Sequence, residues 1–251
     1  MQPFRRGRYQ ARLADTPADI RAAQRLRWLC FMAGNGAADD GQQIDRDALD
    51  DTCQHMLVED AASGHLVCTF RFLRLSGGAE IARSYSAQFY NLAALERFDG
   101  PMVEMGRFCI HPDHRDPDII RTAWAAMTRY VDAAGIEMLF GCSSFIGTEP
   151  EDHAEAFAML KERHLAPRRW WPRVKAPRVF RFARALRLRK PDPKRAMAAM
   201  PPLLRSYLAM GGWVSDHAVV DPALRTMHVF TGVEIRAIPA ARRRLMRAAA
   251  G

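Results

Sequence analysis

The clearest hydrophobic pattern in the chain predicts a helix that begins at Asp116-Pro117 and ends at Gly135. Its apolar residues recur with the 3.6-residue period of a helix that buries one face: Ile120, Ala123, Trp124, Met127, Val131 and Ala134. Asp and Pro are favoured at the start of a helix, and Gly just after its end. By the same logic, Thr16 followed by Pro17 predicts another helix near the start of the chain.

Shorter apolar runs predict β-strands on either side of this helix. The runs His55 to Glu59 and Leu66 to Leu75 flank a polar turn and predict a hairpin. The run Met102 to Ile110 precedes the helix, and the largely apolar run Ile136 to Cys142 follows it. Further elements are predicted at Arg8 to Leu13, Thr148 to Arg163, Pro202 to Met210, Trp213 to Val220 and Thr226 to Val233. A hairpin followed by strand, helix, strand and helix predicts a mixed α/β domain rather than a doubly wound sheet.

The positive charge of the chain is concentrated in one segment. Of 251 residues, 37 are Lys or Arg and 28 are Asp or Glu, a net charge of +9. Residues 161–195, called here the basic segment, contain 14 Lys and Arg against two acidic residues, a net charge of +12. This predicts an acidic partner: a carrier protein, anionic lipid or nucleic acid. We predict a single domain over residues 1–251 with a basic helical insertion at about residues 163–200.

Cysteine usage and hydropathy predict a cytoplasmic protein. The five cysteines form no C-x-x-C pair and lie in or beside apolar stretches, as reduced core cysteines do. The first residues lack the pattern of a signal peptide, and no run approaches the roughly 18 apolar residues of a membrane span. These patterns do not address contact with a membrane surface.

One acidic residue, Glu104, lies inside the apolar strand predicted over Met102 to Ile110. Burying a carboxylate is costly unless it is paired, so Glu104 belongs to an internal ion pair, lies at a solvated edge of the sheet, or is a general base. Arg107 shares a strand face with Glu104 only if the chain bulges between them, which Gly106 would allow. Glu104 and Arg107 are therefore candidate catalytic residues.

A second group of charges precedes and enters the predicted hairpin. Asp47 and Asp50 belong to an acidic run that is either a solvated turn or a site for a cationic substrate. Arg71 lies in the next strand, and if it faces inward it requires an anion, either Glu104 or a substrate carboxylate. Small polar residues also follow the strand that ends at Cys142, where ligands commonly bind in such sheets.

Residues 111–116 contain the spacing H-x-x-x-x-D, which glycerolipid acyltransferases use to activate a hydroxyl. Asp116 is equally explained as the cap of the helix that follows it. His111 and His114 also suggest a metal, but no third ligand stands at a recognisable spacing, so no metal site is predicted.

Five segments follow one another along the chain: Arg27-Trp28-Leu29-Cys30-Phe31, Asp47 to Val58, Thr69 to Leu73, Val103-Glu104-Met105-Gly106-Arg107 and Leu139 to Phe145. In this order they resemble the ornithine–acyl-carrier-protein N-acyltransferases of bacteria. That family belongs to the GNAT-like superfamily and is similar to the acyl-homoserine-lactone synthases. The resemblance covers about residues 8–235.

The resemblance implies a GNAT-like α/β fold: a mixed sheet with a V-shaped split, flanked by helices. It implies transfer of a 3-hydroxy fatty acyl group from acyl carrier protein to the α-amino group of L-ornithine, giving lyso-ornithine lipid. The phosphopantetheine arm of the carrier protein would present the acyl group, with no cofactor bound to the enzyme. In agreement, the loop from Ile110 to Pro117 contains no Gly, unlike the pyrophosphate loops of acetyl-CoA-binding members.

For this reaction we assign Glu104 as the base that deprotonates the amine, directly or through a water. Arg107 would hold Glu104 or the substrate carboxylate in place. Backbone N–H groups of Phe108, Cys109 and Ile110 would polarise the thioester carbonyl.

The remaining candidates would bind the acceptor. Asp47 and Asp50 are assigned to the side-chain ammonium of ornithine, and Arg71 to its carboxylate. Ser143 and Ser144 would line the cleft.

Residues 178–190 have the composition of an interfacial amphipathic helix. On a helix, Phe182 lies on the apolar stripe and Phe180 near its edge, and both rings would enter the acyl boundary of a membrane. Arg178, Arg181 and Arg184 would reach lipid headgroups or, equally, an acidic carrier protein. Lipid contact would place the enzyme peripherally at the inner face of the cytoplasmic membrane, on an anionic surface.

Two related reactions are alternatives. An acyl-homoserine-lactone-type synthase would use the same donor with S-adenosylmethionine as acceptor. A lysolipid O-acyltransferase would rest on His111 and Asp116. A nucleic-acid partner is not predicted, because the basic segment lacks regularly interleaved aromatic residues beyond Trp170, Trp171, Phe180 and Phe182.

Overall fold

The computed structural model describes residues 2–33 and 42–251. In chain order its strands are β1 (Phe4–Arg6), β2 (Tyr9–Leu13), β3 (Gln54–Asp60), β4 (Leu66–Leu75), β5 (Tyr90–Asn91), β6 (Met102–Ile110), β7 (Met138–Ile146), β8 (Arg173–Val174), β9 (Val179–Phe180), β10 (Trp213–Val214), β11 (Ala218–Asp221) and β12 (Thr226–Glu234). Its helices are α1 (Pro17–Phe31), α2 (Ser86–Phe89), α3 (Pro117–Ala133), α4 (Ala154–Arg163), α5 (Phe182–Ala185), α6 (Pro193–Ala199), α7 (Pro202–Ala209) and α8 (Ala240–Ala250).

These elements form two compact units. The first unit comprises Met1–Arg74, Met105–Ile136 and Arg243–Gly251. The second comprises Leu75–Glu104 and Glu137–Arg242. The single domain over residues 1–251, with its insertion at about residues 163–200, stays a prediction.

The first unit is built on an antiparallel sheet packed against α1 and α3. Strands β1, β2, β3 and β4 are neighbours in that order, and β6 lies next to β4. The hairpin of β3 and β4 is the one that the sequence predicts. Helix α3 contacts β1, β2 and β3, and α1 contacts β3, so the apolar faces of both helices are removed from water.

Helices α1 and α3 begin where the sequence predicts. Thr16 accepts a hydrogen bond from the N–H of Asp19, whose carboxylate accepts one from the N–H of Thr16 in return. Asp116 accepts from the N–H of Asp118 at 2.9 Å. Gly135 follows α3 with a φ of +62°, a left-handed conformation that favours a residue without a Cβ. Each cap of this kind contributes about 1 kcal/mol.

The second unit is built on β7 and β12, which pair antiparallel along their whole lengths. Beyond β12 lie β11 and then β9, β10 also pairs with β12, and β5 pairs separately with β8. Gly232 of β12 lies against the ring of Trp213, where an added Cβ would come within 2.6 Å of ring atoms. Only glycine therefore lets the indole lie flat on this strand.

Strand β6 pairs with β7 in parallel through three residues, with Met102 opposite Met138, Val103 opposite Leu139 and Glu104 opposite Phe140. Parallel neighbours need a crossover connection, and here the chain between them contains α3. The mixed α/β prediction is confirmed: the sheets are mostly antiparallel, they include the parallel pair of β6 and β7, and they are flanked by helices.

The amphipathic helix predicted over residues 178–190 is wrong. The chain there forms β9, the four-residue helix α5 and irregular structure. Strand β9 pairs with β11, which holds its backbone extended. Phe182 is fully buried and its ring stacks on that of Phe157, with the centroids 5.1 Å apart. Strand pairing and core packing thus override the local helical period, and Phe182 is not available to a membrane.

Candidate active site

Glu104 lies in β6 and is 5% exposed. Its carboxylate accepts hydrogen bonds from the backbone N–H groups of Tyr85 and Ser86, each at 2.7 Å. The Ser86 hydroxyl donates a third at 2.6 Å. These donors come from the start of α2, and they offset the cost of burying a charge. The arrangement fixes the orientation of the carboxylate within the second unit.

Residues that the sequence did not indicate complete the surroundings of Glu104. The Ser86 hydroxyl also lies 3.4 Å from the Cys142 sulfur of β7. Burial raises the pKa of the Tyr207 hydroxyl well above its usual range, and the negative charge of Glu104 acts in the same direction. Tyr207 therefore stays an O–H donor near Glu104. Ser86 and Tyr207 lie in short elements with no motif around them, so no pattern pointed to either.

A network of buried charges in the first unit surrounds Arg27 of α1. Arg27 is fully buried, and its Nε donates to Asp45 at 2.9 Å. Its Nη1 and Nη2 donate to the two carboxylate oxygens of Asp50, at 2.7 and 2.9 Å. It also donates to the backbone carbonyl of Asp45. Gln24, one turn earlier on α1, donates to Asp50 at 3.0 Å. The sequence signal that could have indicated this network is the presence of Gln24 and Arg27 on the buried face of the amphipathic helix α1.

Arg71 of β4 joins two of the aspartates. Its Nη1 donates to Asp47 at 2.6 Å and to Asp50 at 2.5 Å, and its Nη2 donates to Asp47 at 2.7 Å. Asp47 also caps a 3-10 turn by accepting from the N–H of Leu49 at 2.9 Å. The cap and the guanidinium together fix the position of the Asp47 carboxylate.

Arg107 of β6 completes the network. Its Nε donates to Asp45 at 2.9 Å, and its Nη2 lies 3.5 Å from the Asp47 carboxylate. Its φ is +53°, a left-handed conformation that is strained for a residue with a side chain. The irregularity in strand β6 that we expected at Gly106 therefore occurs at Arg107 itself. Such strain costs about 1–3 kcal/mol and is retained where the surroundings fix it, here by the two aspartates.

The arginines keep Asp47 and Asp50 ionised. Burial raises the pKa of Asp50, but Arg27 and Arg71 outweigh it and hold that pKa well below its usual range. The pKa of Asp47 is lowered in the same way, with burial opposed by Arg71 and Arg107. With three arginines facing three aspartates, the network is formally neutral.

Asp47 and Asp50, to which we assign the same role from the sequence, differ in how far their side chains are exposed to solvent. The Asp47 side chain is 32% exposed, whereas that of Asp50 is 1% exposed with both oxygens bonded to arginines. Both oxygens of Asp50 are occupied by arginines, and its contact with a substrate ammonium stays a prediction that this packing does not favour. Arg71 is 4% exposed and donates to the aspartates, so its contact with a substrate carboxylate stays a prediction in the same way. Asp47 is the carboxylate of this network that a cation can reach.

The residues after Arg107 and in β7 have distinct surroundings. Phe108 stacks on Phe70, with ring centroids 5.5 Å apart. Burial raises the pKa of the Cys109 thiol well above its usual range, and the carbonyl of Ile110 accepts from the Cys30 thiol at 3.3 Å. Their backbone N–H groups as thioester donors stay a prediction.

Ser143 and Ser144 lie on opposite faces of β7, as successive strand residues do. Ser143 is buried, and its hydroxyl accepts from the Thr231 hydroxyl at 3.0 Å. Ser144 is exposed and shares its face with Cys142. The two serines therefore do not line one cleft together.

The His–Asp pair of the O-acyltransferase alternative is not formed. Asp116 accepts from the Tyr9 hydroxyl and the N–H of Asp118, both at 2.9 Å. In the described part of the chain, no hydrogen bond or ion pair joins His111 to Asp116. Asp116 thus has the capping role that the sequence offered as its other explanation.

The basic segment exposes its arginines. Arg178, Arg181 and Arg184 are exposed, and Phe180 is half-buried. Across residues 2–33 and 42–251, none of these three arginines forms an ion pair. In the same ranges, no helix is long and apolar enough to cross a bilayer. The surface that results is positive and unneutralised.

Comparisons with known proteins agree with this fold. Residues 26–125 match a family model described as an acetyltransferase (GNAT) domain. An L-ornithine N(alpha)-acyltransferase of Rhodobacter capsulatus is 34% identical over 239 residues, covering 92% of this chain and 91% of that protein. One of Rhizobium meliloti is 34% identical over 231 residues, covering 88% and 78%.

Among solved structures, the CoA-dependent acyl-homoserine lactone synthase BjaI, with SAM and isopentyl-CoA, has a TM-score of 0.49 at 13% identity. The superposition covers 92% of this chain and 82% of that one. The identity to the two curated enzymes spans about nine tenths of the chain, well beyond the GNAT domain match. The chain therefore belongs to the L-ornithine N(alpha)-acyltransferase family and is an N-acyltransferase with a GNAT-like α/β fold.

Proposed function

We propose that this protein transfers a 3-hydroxy fatty acyl group from acyl carrier protein to the α-amino group of L-ornithine. The observation that carries the proposal is the 34% identity, over nine tenths of the chain, to an enzyme named for ornithine Nα-acylation. The reaction forms an amide bond and breaks the thioester C–S bond. The products are lyso-ornithine lipid and the free phosphopantetheine thiol, and no bound cofactor takes part.

Glu104 acts on the amine. The α-amino group of a free amino acid is at least as basic as a peptide terminus, so at neutral pH most of it is protonated and cannot attack a carbonyl. Glu104, held by the donors at the start of α2, accepts a proton from the attacking nitrogen, directly or through a water. Two protons leave the α-ammonium in all: one passes to the leaving thiolate and the other is released to water, so the carboxylate of Glu104 is regenerated and the reaction is balanced.

The acceptor is recognised by its charges. Asp47 is fixed, ionised and partly exposed, and it binds the side-chain ammonium of ornithine. Arg107, whose side chain is 14% exposed against 4% for Arg71, takes the substrate carboxylate. Asp50, Arg27 and Arg71 act on substrate only through Asp47, as positioning residues.

The donor is recognised by its acidic carrier. Carrier proteins of this class are acidic, and Arg178, Arg181 and Arg184 present unneutralised positive charge. Burial of Phe182 removes one of the two rings on which membrane insertion rested, so carrier docking is the function that this surface supports best. Backbone N–H groups of Phe108, Cys109 and Ile110 polarise the thioester carbonyl. Because the product carries a long acyl chain, the enzyme releases it at the inner face of the cytoplasmic membrane.

The test supplies purified enzyme with 3-hydroxyacyl carrier protein and, in separate reactions, L-ornithine, L-lysine, L-glutamine or S-adenosylmethionine. Mass spectrometry is expected to find an Nα-acylated product with ornithine in clear excess over the others. Product with S-adenosylmethionine alone would identify an acyl-homoserine-lactone-type synthase instead. Replacing the carrier by the matching acyl-CoA tests the donor: equal rates would overturn the carrier assignment.

A further inference from the structure

Three histidine rings meet at one end of the first unit. His65 follows the turn between β3 and β4, and His111 and His114 lie in the loop between β6 and α3. Ring centroids are 5.2 Å apart for His65 and His111, and 5.3 Å apart for each of the other two pairs. One ring nitrogen of each residue lies within 4.8 Å of the other two. The sequence showed only two of these residues together, because the hairpin turn brings the third from 46 positions away.

Backbone hydrogen bonds fix the three residues. The N–H of His111 donates to the carbonyl of Val67 at 2.8 Å, and the N–H of His114 donates to the carbonyl of His111 at 2.9 Å. The carbonyl of His65 accepts from the N–H of Asp60 at 2.9 Å. The rings are therefore brought together by the sheet and its turns rather than by chance positions of free side chains. The proposed acyl transfer uses none of them.

We propose that His65, His111 and His114 form a binding site for a divalent transition metal ion, for which Zn²⁺ is the best match. Neutral imidazoles are preferred ligands of Zn²⁺, and three of them leave a fourth tetrahedral position for water. Zn–N bonds of about 2.0–2.1 Å place ligand nitrogens about 3.3 Å apart, so these nitrogens must close by up to about 1.5 Å. Rotation of the exposed His65 and the half-buried His111 and His114 rings provides that movement.

Asp113 supplies the interaction that commonly supports a metal-bound histidine. Its carboxylate lies 3.9 Å from His111 Nδ1, which also accepts from the N–H of Asp113 at 3.3 Å. In the structure His111 Nδ1 accepts a hydrogen bond, so its Nε2 carries the proton. Metal binding through Nε2 moves that proton to Nδ1, and a small turn of the Asp113 side chain then brings its carboxylate within reach as the acceptor.

A metal here ties the β3–β4 turn to the loop that joins β6 to α3. His111 directly follows Ile110, whose N–H we assign to the thioester carbonyl, so the ion would stiffen the end of that strand. The site is structural in this sense, and it does not depend on which acyl donor or acceptor the enzyme uses.

The test uses protein purified without a polyhistidine tag and stripped with a chelator. Titration with Zn²⁺ is expected to give one site per chain by calorimetry, and 100 μM Zn²⁺ is expected to raise Tm by about 5–10 °C if Kd is near 1 μM. Co²⁺ in place of Zn²⁺ reports a tetrahedral site by its visible absorption.

Variants separate this site from generic histidine binding. His65→Ala and His114→Ala are expected to abolish the one-site isotherm, and Asp113→Asn to weaken Zn²⁺ binding about tenfold or more. His164→Ala, which removes a half-buried imidazole outside the cluster, is the matched control and is expected to bind as the parent does. Failure of the parent protein to bind Zn²⁺ at one site, or equal binding by His65→Ala, overturns the proposal. The parent titration stands even if a variant does not fold.

Discussion

The hydroxyl of Ser86 donates a 2.6 Å hydrogen bond to the carboxylate of Glu104, alongside the backbone N–H of the same residue. One residue at the start of α2 therefore both orients the proposed base and favours its ionised form. Two backbone donors remain when the hydroxyl is removed, so its contribution can be measured separately.

Ser86→Ala is expected to lower kcat about tenfold with little change in KM for ornithine, because the carboxylate loses one of the donors that orient it. The measurement is kcat and KM at pH 7 with carrier-protein donor and ornithine. Ser206→Ala, at a half-buried serine of α7, is the control and keeps both constants. An unchanged kcat, or a loss that appears only in KM, would show that Ser86 does not act through Glu104.

Glu104→Gln keeps the size of the side chain and removes its basicity. We expect kcat to fall about 10²–10⁴-fold, the usual contribution of a positioned base, with a smaller change in KM. Steady-state kinetics with carrier-protein donor and ornithine measure both quantities, and circular dichroism confirms the fold. Acyl transfer within about threefold of the parent at pH 7 would exclude Glu104 as the base.

Asp50→Asn tests the buried charge network. Removing the charge of Asp50 takes one of two carboxylate partners from each of Arg27 and Arg71, and breaking a buried pair typically costs about 3–5 kcal/mol of unfolding free energy, which lowers Tm by about 6–20 °C in a chain of this size. The neighbouring Asp51 has a side chain that is 71% exposed, and Asp51→Asn is expected to change stability by less than about 0.5 kcal/mol. Denaturant unfolding compares the two, and similar losses would contradict a structural role confined to Asp50.

Protonation of the buried His228 is expected to lower the stability of the protein in mild acid. Burial lowers its pKa to about 4, and its Nε2 is buried with no hydrogen-bond partner in the described ranges 2–33 and 42–251. The unfolded chain therefore binds the proton first, so stability is full above about pH 6.5 and falls by up to about 1.4 kcal/mol per unit as pH drops from 6.5 to 4.

Unfolding free energies at pH 7 and pH 5 measure this effect. His228→Asn is expected to shrink the difference between the two pH values, whereas His65→Asn, an exposed histidine studied with chelator present, leaves it unchanged. A parent protein equally stable at both pH values would show that His228 does not control this dependence.

A triple variant tests carrier docking: Arg178, Arg181 and Arg184 are replaced by Glu, which reverses their charge. KM for acyl carrier protein is expected to rise at least about tenfold and to lose its dependence on salt, because electrostatic attraction is removed. Activity with an acyl-pantetheine donor is expected to stay unchanged. The control is a triple variant in which Arg5, Arg21 and Arg25 are replaced by Glu, so that the same charge change lies elsewhere on the surface. If the first variant loses anionic vesicle binding but keeps its KM, the surface meets lipid rather than carrier protein.

The sequence by itself determined the elements whose signals are local. Period and caps placed α3 within two residues of its observed ends, because one helix face is buried and its capping groups are its own neighbours. The strand around Glu104 could be predicted from its apolar run. Glu104 itself could be singled out because burying a lone carboxylate in such a run is costly. Together with the order of five segments, this was enough to identify the fold class and the family.

Only the tertiary structure decided how distant residues meet. Asp47 and Asp50 look alike in the chain, yet Arg27 of α1 and Arg71 of β4 enclose only Asp50. Phe182 follows a helical stripe, but the pairing of β9 with β11 turns its ring into the core. His65 joins His111 and His114 through a hairpin. Local pattern reports which residues avoid water, whereas the partner that covers them comes from pairing between segments far apart in sequence.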